Sequence, residues 1–193
     1  MSLVLSTMLP LGTTAPDFAL PEASTGRAVR LADFAGKKAL LVMFLSRHCP
    51  YVKHVQEGLA KFARDHSTKD LGLVAVCSND AAEYPEDAPA SLVAQAKEVG
   101  FSFPYLYDET QSMAKAYRAA CTPDFFLFDE KRRLAYRGQF DDSRPGNGKP
   151  VTGKDLRAAL NLVLDGKPPS SDQRPSAGCN IKWKAGNEPD YFK

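Results

Sequence analysis

The stretch Ala39-Leu40-Leu41-Val42-Met43-Phe44-Leu45-Ser46-Arg47-His48-Cys49-Pro50 decides the fold. Residues 39–45 are an unbroken apolar run, which suits a strand covered on both faces. The run stops at a polar turn, and a cysteine and a proline follow. Beyond Pro50 the apolar residues fall at Val52, Val55, Leu59, Phe62 and Ala63. That spacing predicts a helix to about His66. Pro50 is welcome in its first turn, where a missing N–H has no partner to lose. Cys49 therefore sits where a buried strand ends and a helix begins.

That position has chemical consequences. A helix N-terminus carries unpaired N–H groups and the positive end of the helix dipole, and both favour thiolate over thiol. A cysteine so placed becomes nucleophilic near neutral pH. Arg47 and His48 precede it and add positive charge. The competing reading is a small buried hydrophobe at a turn. His48 likewise reads either as a solvent-facing turn residue or as a partner of the sulfur.

Outward from this centre, Leu71–Cys77 is a second buried strand, and Asn79–Pro89 a polar loop. Ser91–Val99 reads as a helix with Ser91 near its cap, Pro104–Tyr107 as a short strand and Thr110–Tyr117 as another helix. Phe125–Phe128 and Leu134–Phe140 form a hairpin across Asp129–Arg133. Upstream, Asp17–Leu20 and Arg27–Leu31 flank a Ser24-Thr25-Gly26 turn. A charged loop covers Asp141–Pro150. Thr152-Gly153-Lys154-Asp155 then leads into a helix through Leu156, Leu160, Val163 and Leu164. Alternating strands and helices followed by a hairpin predict an α/β fold with a central mixed sheet flanked by helices. The expected domain spans 1–168. Pro168-Pro169-Ser170-Ser171 breaks structure, and 169–193 is a tail whose Ile181, Trp183, Tyr191 and Phe192 dock on the domain or on a second subunit, as in a homodimer.

The chain has 193 residues, 44% hydrophobic and 25% charged, with net charge +2. That is enough for one well-filled core. The charge is too small to argue for nucleic acid or a membrane surface. No apolar run approaches the ~20 residues of a spanning helix. Met1–Gly12 is apolar but has no basic residue ahead of it, unlike a secretory signal, so a cytoplasmic protein is expected. The four cysteines, Cys49, Cys77, Cys121 and Cys179, are widely spaced. This disfavours a disulfide scaffold or a structural zinc site. His48, Cys49 and His54 lack an obvious further ligand, so neither a metal nor another cofactor is expected. Cys77, ending an apolar strand, reads as structural. Pro123 either ends the preceding helix or forms a cis bond.

Ser46-Arg47-His48-Cys49-Pro50 after a strand, with Thr122-Pro123 before Phe125-Phe126-Leu127-Phe128, resembles the thioredoxin superfamily. Gly12-x-x-Ala15-Pro16-Asp17-Phe18-x-Leu20 resembles the N-terminal extension of peroxiredoxins. Asn79-Asp80, Tyr84-Pro85-Glu86-Asp87, Phe140-Asp141-Asp142-Ser143-Arg144-Pro145 and Gly178-Cys179-Asn180-Ile181-Lys182-Trp183-Lys184 narrow the match. The chain is similar to the peroxiredoxin-like group often called thiol-disulfide isomerase or thioredoxin-like proteins. The resemblance implies a thioredoxin-like fold with an N-terminal hairpin extension and a cis Pro123 beside the active cysteine. There are departures. Val52 stands where thioredoxins carry their second cysteine, and Met43 where they bury an acid. Val42 stands where peroxiredoxins carry a proline, although Ser46 fits their pattern.

The resemblance also implies a mechanism. The Cys49 thiolate attacks a disulfide or is oxidised by a peroxide, and a second sulfur resolves the adduct. Cys121, beside Pro123, is the first candidate for that second sulfur and Cys179 the next. Arg47, His48, Pro50, Thr122 and Pro123 support the site. The substrate is then a protein or small-molecule disulfide or a peroxide, and a thiol reductant regenerates the pair. The alternatives are a non-catalytic thioredoxin-like binding module and, ranked lower, a metallochaperone.

Overall fold

The structure, a computed structural model, describes residues 3–192. The deciding apolar run forms β4 (Ala39–Phe44), the middle strand of a five-stranded sheet. Parallel to it lies β5 (Leu71–Cys77), and beyond that β6 (Tyr105–Tyr107). On its other side β8 (Asp124–Phe128) and β9 (Leu134–Gly138) form the expected antiparallel hairpin. The sheet is therefore mixed, in the order β6-β5-β4-β8-β9. Strand periodicity divides the β4 side chains between two cores. Ala39, Leu41 and Met43 face one; Leu40, Val42 and Phe44 face the other. Covering the first are α1 (Pro50–Asp65), α2 (Pro89–Val99) and α4 (Lys154–Leu164). The second is closed by α3 (Ser112–Ala116), the N-terminal segment and the tail. The N-terminal segment carries the small hairpin of β2 (Ala19–Pro21) and β3 (Ala28–Arg30).

Three details differ from the sequence expectation. First, α2 starts two residues before Ser91, because Pro89 occupies its first turn; Ser91 Oγ instead bonds the Pro85 carbonyl at 3.3 Å. Second, Asp141, on the charged loop, does not face solvent. It is fully buried, and one of its oxygens accepts the N–H groups of Thr152 and Gly153, both at 2.6 Å, at the start of α4. The backbone there turns through Gly153 at φ 66°, a conformation that favours glycine. Third, the tail is not a simple appendage. Ala177–Asn180 is a strand, β10, lying between β1 (Leu3–Leu5) and β7 (Cys121–Thr122) in a second, three-stranded sheet. Beyond it Ile181 and Trp183 are buried in the second core. Among the described residues no helix is long and apolar enough to cross a membrane.

Candidate active site

Cys49 is the N-cap of α1, with extended backbone (φ −70°, ψ 121°), and Pro50 occupies the first helical position. Antiparallel pairing of β10 with β7 sets Cys179 opposite Thr122. This register delivers the Cys179 sulfur to within 3.0 Å of Cys49 Sγ, across 130 residues of chain. A disulfide bond needs about 2.05 Å, so the two are unbonded but in contact. Cys49 Sγ also lies 3.1 Å from the Thr122 carbonyl, to which its thiol form donates. The Thr122–Pro123 peptide is cis. Cys49 is 0% and Cys179 1% exposed.

The pair divides its protons unequally. The Cys179 thiol, as hydrogen-bond donor, pulls the Cys49 pKa down from 9.0 to about 6. Burial opposes this; the Thr122 hydroxyl and the backbone N–H groups of Val52 and Cys179 assist it. The same hydrogen bond, with burial, pushes Cys179 far above the ordinary thiol range. One thiolate held by one thiol is the stable reduced form of such a pair. Among the described residues the Thr122 hydroxyl makes no other hydrogen bond, which leaves it available to the thiolate.

A buried carboxylate organises the turn before Cys49. Asp87, 0% exposed, accepts from Ser46 Oγ at 3.0 Å, the Arg47 N–H at 2.7 Å, His48 Nδ1 at 2.6 Å and Asn79 Nδ2 at 2.7 Å. Burial raises its pKa, but these donors outweigh it and hold Asp87 below the ordinary carboxylate range, His48 contributing most. Asn79 Oδ1 in turn accepts the Lys182 N–H at 2.8 Å, just after β10. Asp87 and Asn79 thus tie the Cys49 turn to the segment that carries Cys179. The Tyr84 ring stacks on His48, centroids 5.1 Å apart and planes 14° apart, and Lys182 Nζ lies 5.7 Å from the centre of the same ring.

The other expected site residues fall in different places. Cys121 is buried on β7, where successive side chains point to opposite faces, and its sulfur turns to the Pro123 carbonyl at 3.6 Å. Burial and the nearby Asp124 charge push its pKa well up. The sulfur that meets Cys49 is therefore that of Cys179, the second-ranked candidate, and not that of Cys121. Arg47 turns away from the sulfurs to the Ser91 carbonyl at 2.6 Å and to Glu98 at 3.1 Å. Cys77 is fully buried, with its pKa raised by burial. His54 meets Ser143 Oγ at 2.7 Å. Ser143 and Arg144 line a slot of about 10 Å³ with Tyr51, Pro123 and Ser176, beside the site. Sequence reasoning assigned no role to Asp87, Asn79, Tyr84 or Lys182. All four stand in the stretches that carried the family resemblance, and that was the signal available.

Residues 10–156 match the Redoxin family. The chain belongs to the Redoxin family. The matched segment contains Cys49 but ends before Cys179. An "uncharacterized conserved protein" from Geobacillus kaustophilus is 54% identical, over 95% of this chain and 97% of that one, with a TM-score of 0.93. A hypothetical protein from Sinorhizobium meliloti is 55% identical, over 94% and 99%, with a TM-score of 0.92. A structure from Chlorobium tepidum described as a thiol:disulfide interchange protein shares the fold, with 22% identity over 81% and 99% and a TM-score of 0.65. No curated protein matches the chain. This Redoxin has the thioredoxin-like fold of thiol-disulfide oxidoreductases.

Proposed function

We propose that this protein is a dithiol–disulfide oxidoreductase in which Cys49 attacks and Cys179 resolves. The observation that carries the reading is the 3.0 Å approach of the two sulfurs at the N-terminus of α1. With a disulfide substrate, the Cys49 thiolate displaces one substrate thiolate and forms a mixed disulfide. Cys179 then attacks the Cys49 sulfur, loses its proton and releases the second substrate thiolate. With a hydroperoxide, Cys49 becomes a sulfenic acid and an alcohol or water leaves; Cys179 closes the disulfide and releases water. A thiol reductant restores both cysteines, which suits the reducing conditions of a cytoplasm. Pro50 starts the helix without a spare N–H, and Thr122 and Pro123 form the wall against which Cys49 rests.

A second reading is favoured by the burial of both sulfurs. In it the pair is a clasp that fastens β10, and the protein is a non-catalytic binding module. One experiment separates the two. The reduced protein is treated with one equivalent of hydrogen peroxide or glutathione disulfide, and thiols are counted over time. The proposal expects loss of two thiols and a tryptic crosslink between His48–Lys53 and Ala158–Lys182. Cys49→Ser should abolish both. Loss of thiols no faster than in Cys49→Ser would leave the clasp as the better account.

A further inference from the structure

The tail seats its own apolar residues on the domain, with Ile181 and Trp183 in the second core. Among the described residues, the large apolar side chains left exposed are Leu3 at 59%, Leu5 at 55% and Phe192 at 40%. Leu3 and Leu5 stand on β1, and Phe192 shares a cavity of about 170 Å³ with Val4, Leu5 and Trp183 beside that strand. β1 pairs antiparallel with β10, with Leu3 opposite Cys179, Val4 opposite Gly178 and Leu5 opposite Ala177. One residue further on, the Ser6 N–H donates to the Ser176 carbonyl at 2.9 Å. Bonded and unbonded pairs alternate along an antiparallel ladder. Val4 therefore uses its N–H and C=O on Gly178, and Leu3 and Leu5 turn theirs outward. β1 is the edge of its sheet. An edge that must stay single is commonly blunted by charge or by proline. Residues 3–9 read Leu-Val-Leu-Ser-Thr-Met-Leu and carry neither.

We propose that β1 is the interface between two copies of this chain, paired antiparallel across a two-fold axis at Val4. The edge is its own electrostatic complement. With Val4 on the axis, Leu3 of one copy stands opposite Leu5 of the other, and each such pair exchanges both N–H···O bonds. Every outward donor of the two leucines then meets an outward acceptor. The same register lays the exposed Leu3 side chain against the exposed Leu5 side chain of the second copy, so both leave water. No charge on the strand repels its own copy or calls for a partner of opposite sign. The two three-stranded sheets become one, in the order β7-β10-β1-β1-β10-β7, with each β10 inside it. Residues opposite each other in a ladder share a face, so Leu3 and Leu5 lie on the face of β10 that carries Cys179. The contact therefore forms next to the sulfur pair, and it stands whether or not those sulfurs exchange electrons.

Sedimentation velocity on the whole chain, from micromolar to millimolar concentration, tests the proposal. The expected species is a reversible dimer of twice the 21.1 kDa chain mass. Its dissociation constant should be micromolar rather than nanomolar, because a strand of three residues makes a small interface. Leu5→Pro removes the outward N–H and no group that β10 uses, and edge strands tolerate proline in that orientation. It should raise the dissociation constant at least tenfold, since the axis deletes two hydrogen bonds at once. Circular dichroism checks its fold. Leu5→Lys, at the same exposed position, should weaken the dimer without touching the backbone. Val4→Cys reads the register. The axis brings the two Val4 positions to a Cα separation of about 4.5 Å, within disulfide range. Oxidation should therefore join two chains at that position. Leu5→Cys, two residues out of register with its own copy, should not crosslink. A wild type that stays monomeric overturns the proposal and leaves the edge to a different polypeptide. So does a dimer that both Leu5→Pro and Leu5→Lys leave unweakened, or one that Val4→Cys fails to crosslink.

Discussion

At the scale of the residue, the acidity of Cys49 depends on one thiol donating to another. The N-terminus of α1 favours a thiolate at Cys49, yet the largest single cause of its lowered pKa is the Cys179 thiol. The prediction separates the two. In the wild type the rate of Cys49 alkylation by iodoacetamide should rise through an inflection near pH 6. Cys179→Ala removes the donor but leaves the helix in place. The inflection should move toward the ordinary value of 9.0, and the rate at pH 7 should fall at least tenfold, because the thiolate fraction falls with it. Peptide mapping at each pH checks that Cys49 is the residue labelled. An unmoved inflection in Cys179→Ala would assign the effect to the helix alone. The sequence made the position of Cys49 readable, since an apolar run, a polar turn and a proline mark a strand-to-helix junction. Its partner was not readable. Cys121 and Cys179 both come from short strands without periodicity, and which sulfur turns toward Cys49 depends on a register that only the folded sheet sets.

At the scale of the element, β10 is the part that brings Cys179 to Cys49, and its fit against β7 is tight. A Cβ at Gly178 would lie 2.0 Å from the Thr122 carbonyl oxygen and 2.7 Å from its carbon. Both atoms are backbone, and Thr122 also meets Cys49, so little can give. Gly178→Ala should therefore force β10 outward and draw Cys179 away from Cys49. Overpacking of this kind costs about 1–3 kcal/mol, measurable as a lower urea midpoint. The same variant should close the Cys49–Cys179 disulfide more slowly. Normal stability together with normal closure would show that β7 yields without moving the sulfurs. The long elements were legible for a physical reason. β4, β5, α1 and α4 each bury a periodic or continuous apolar face, and that pattern is written in consecutive residues. β1, β7 and β10 hold two to four residues each. Such short segments have no period to read, and their pairing joins distant parts of the chain, Leu3 with Cys179 and Cys179 with Thr122.

At the scale of the whole molecule, the sulfur pair links the helix-bearing sheet to the chain's last segment. The Redoxin match stops at residue 156, yet the second core is closed by Ile181 and Trp183, and the second sulfur arrives on β10. Asn79 holds Lys182, Gln111 Nε2 donates to the Lys182 carbonyl at 2.9 Å, and Ile181 N–H donates to the Ala120 carbonyl at 3.1 Å. The tail is thus seated whether or not the sulfurs are bonded. Oxidation need only shorten a 3.0 Å contact by about 1 Å to make the bond. Its effect then falls mainly on the unfolded chain, where it closes a loop of 130 residues. Loop-closure entropy for that length is worth up to ~5 kcal/mol, and measured gains are often smaller. The oxidised protein should therefore unfold at a clearly higher urea concentration than the reduced protein, and Cys49→Ser should show no difference between oxidising and reducing conditions. If the two redox forms unfolded at the same midpoint while mass spectrometry confirmed the bond, the native pair would have to be strained, and the close unbonded approach would not describe the reduced protein.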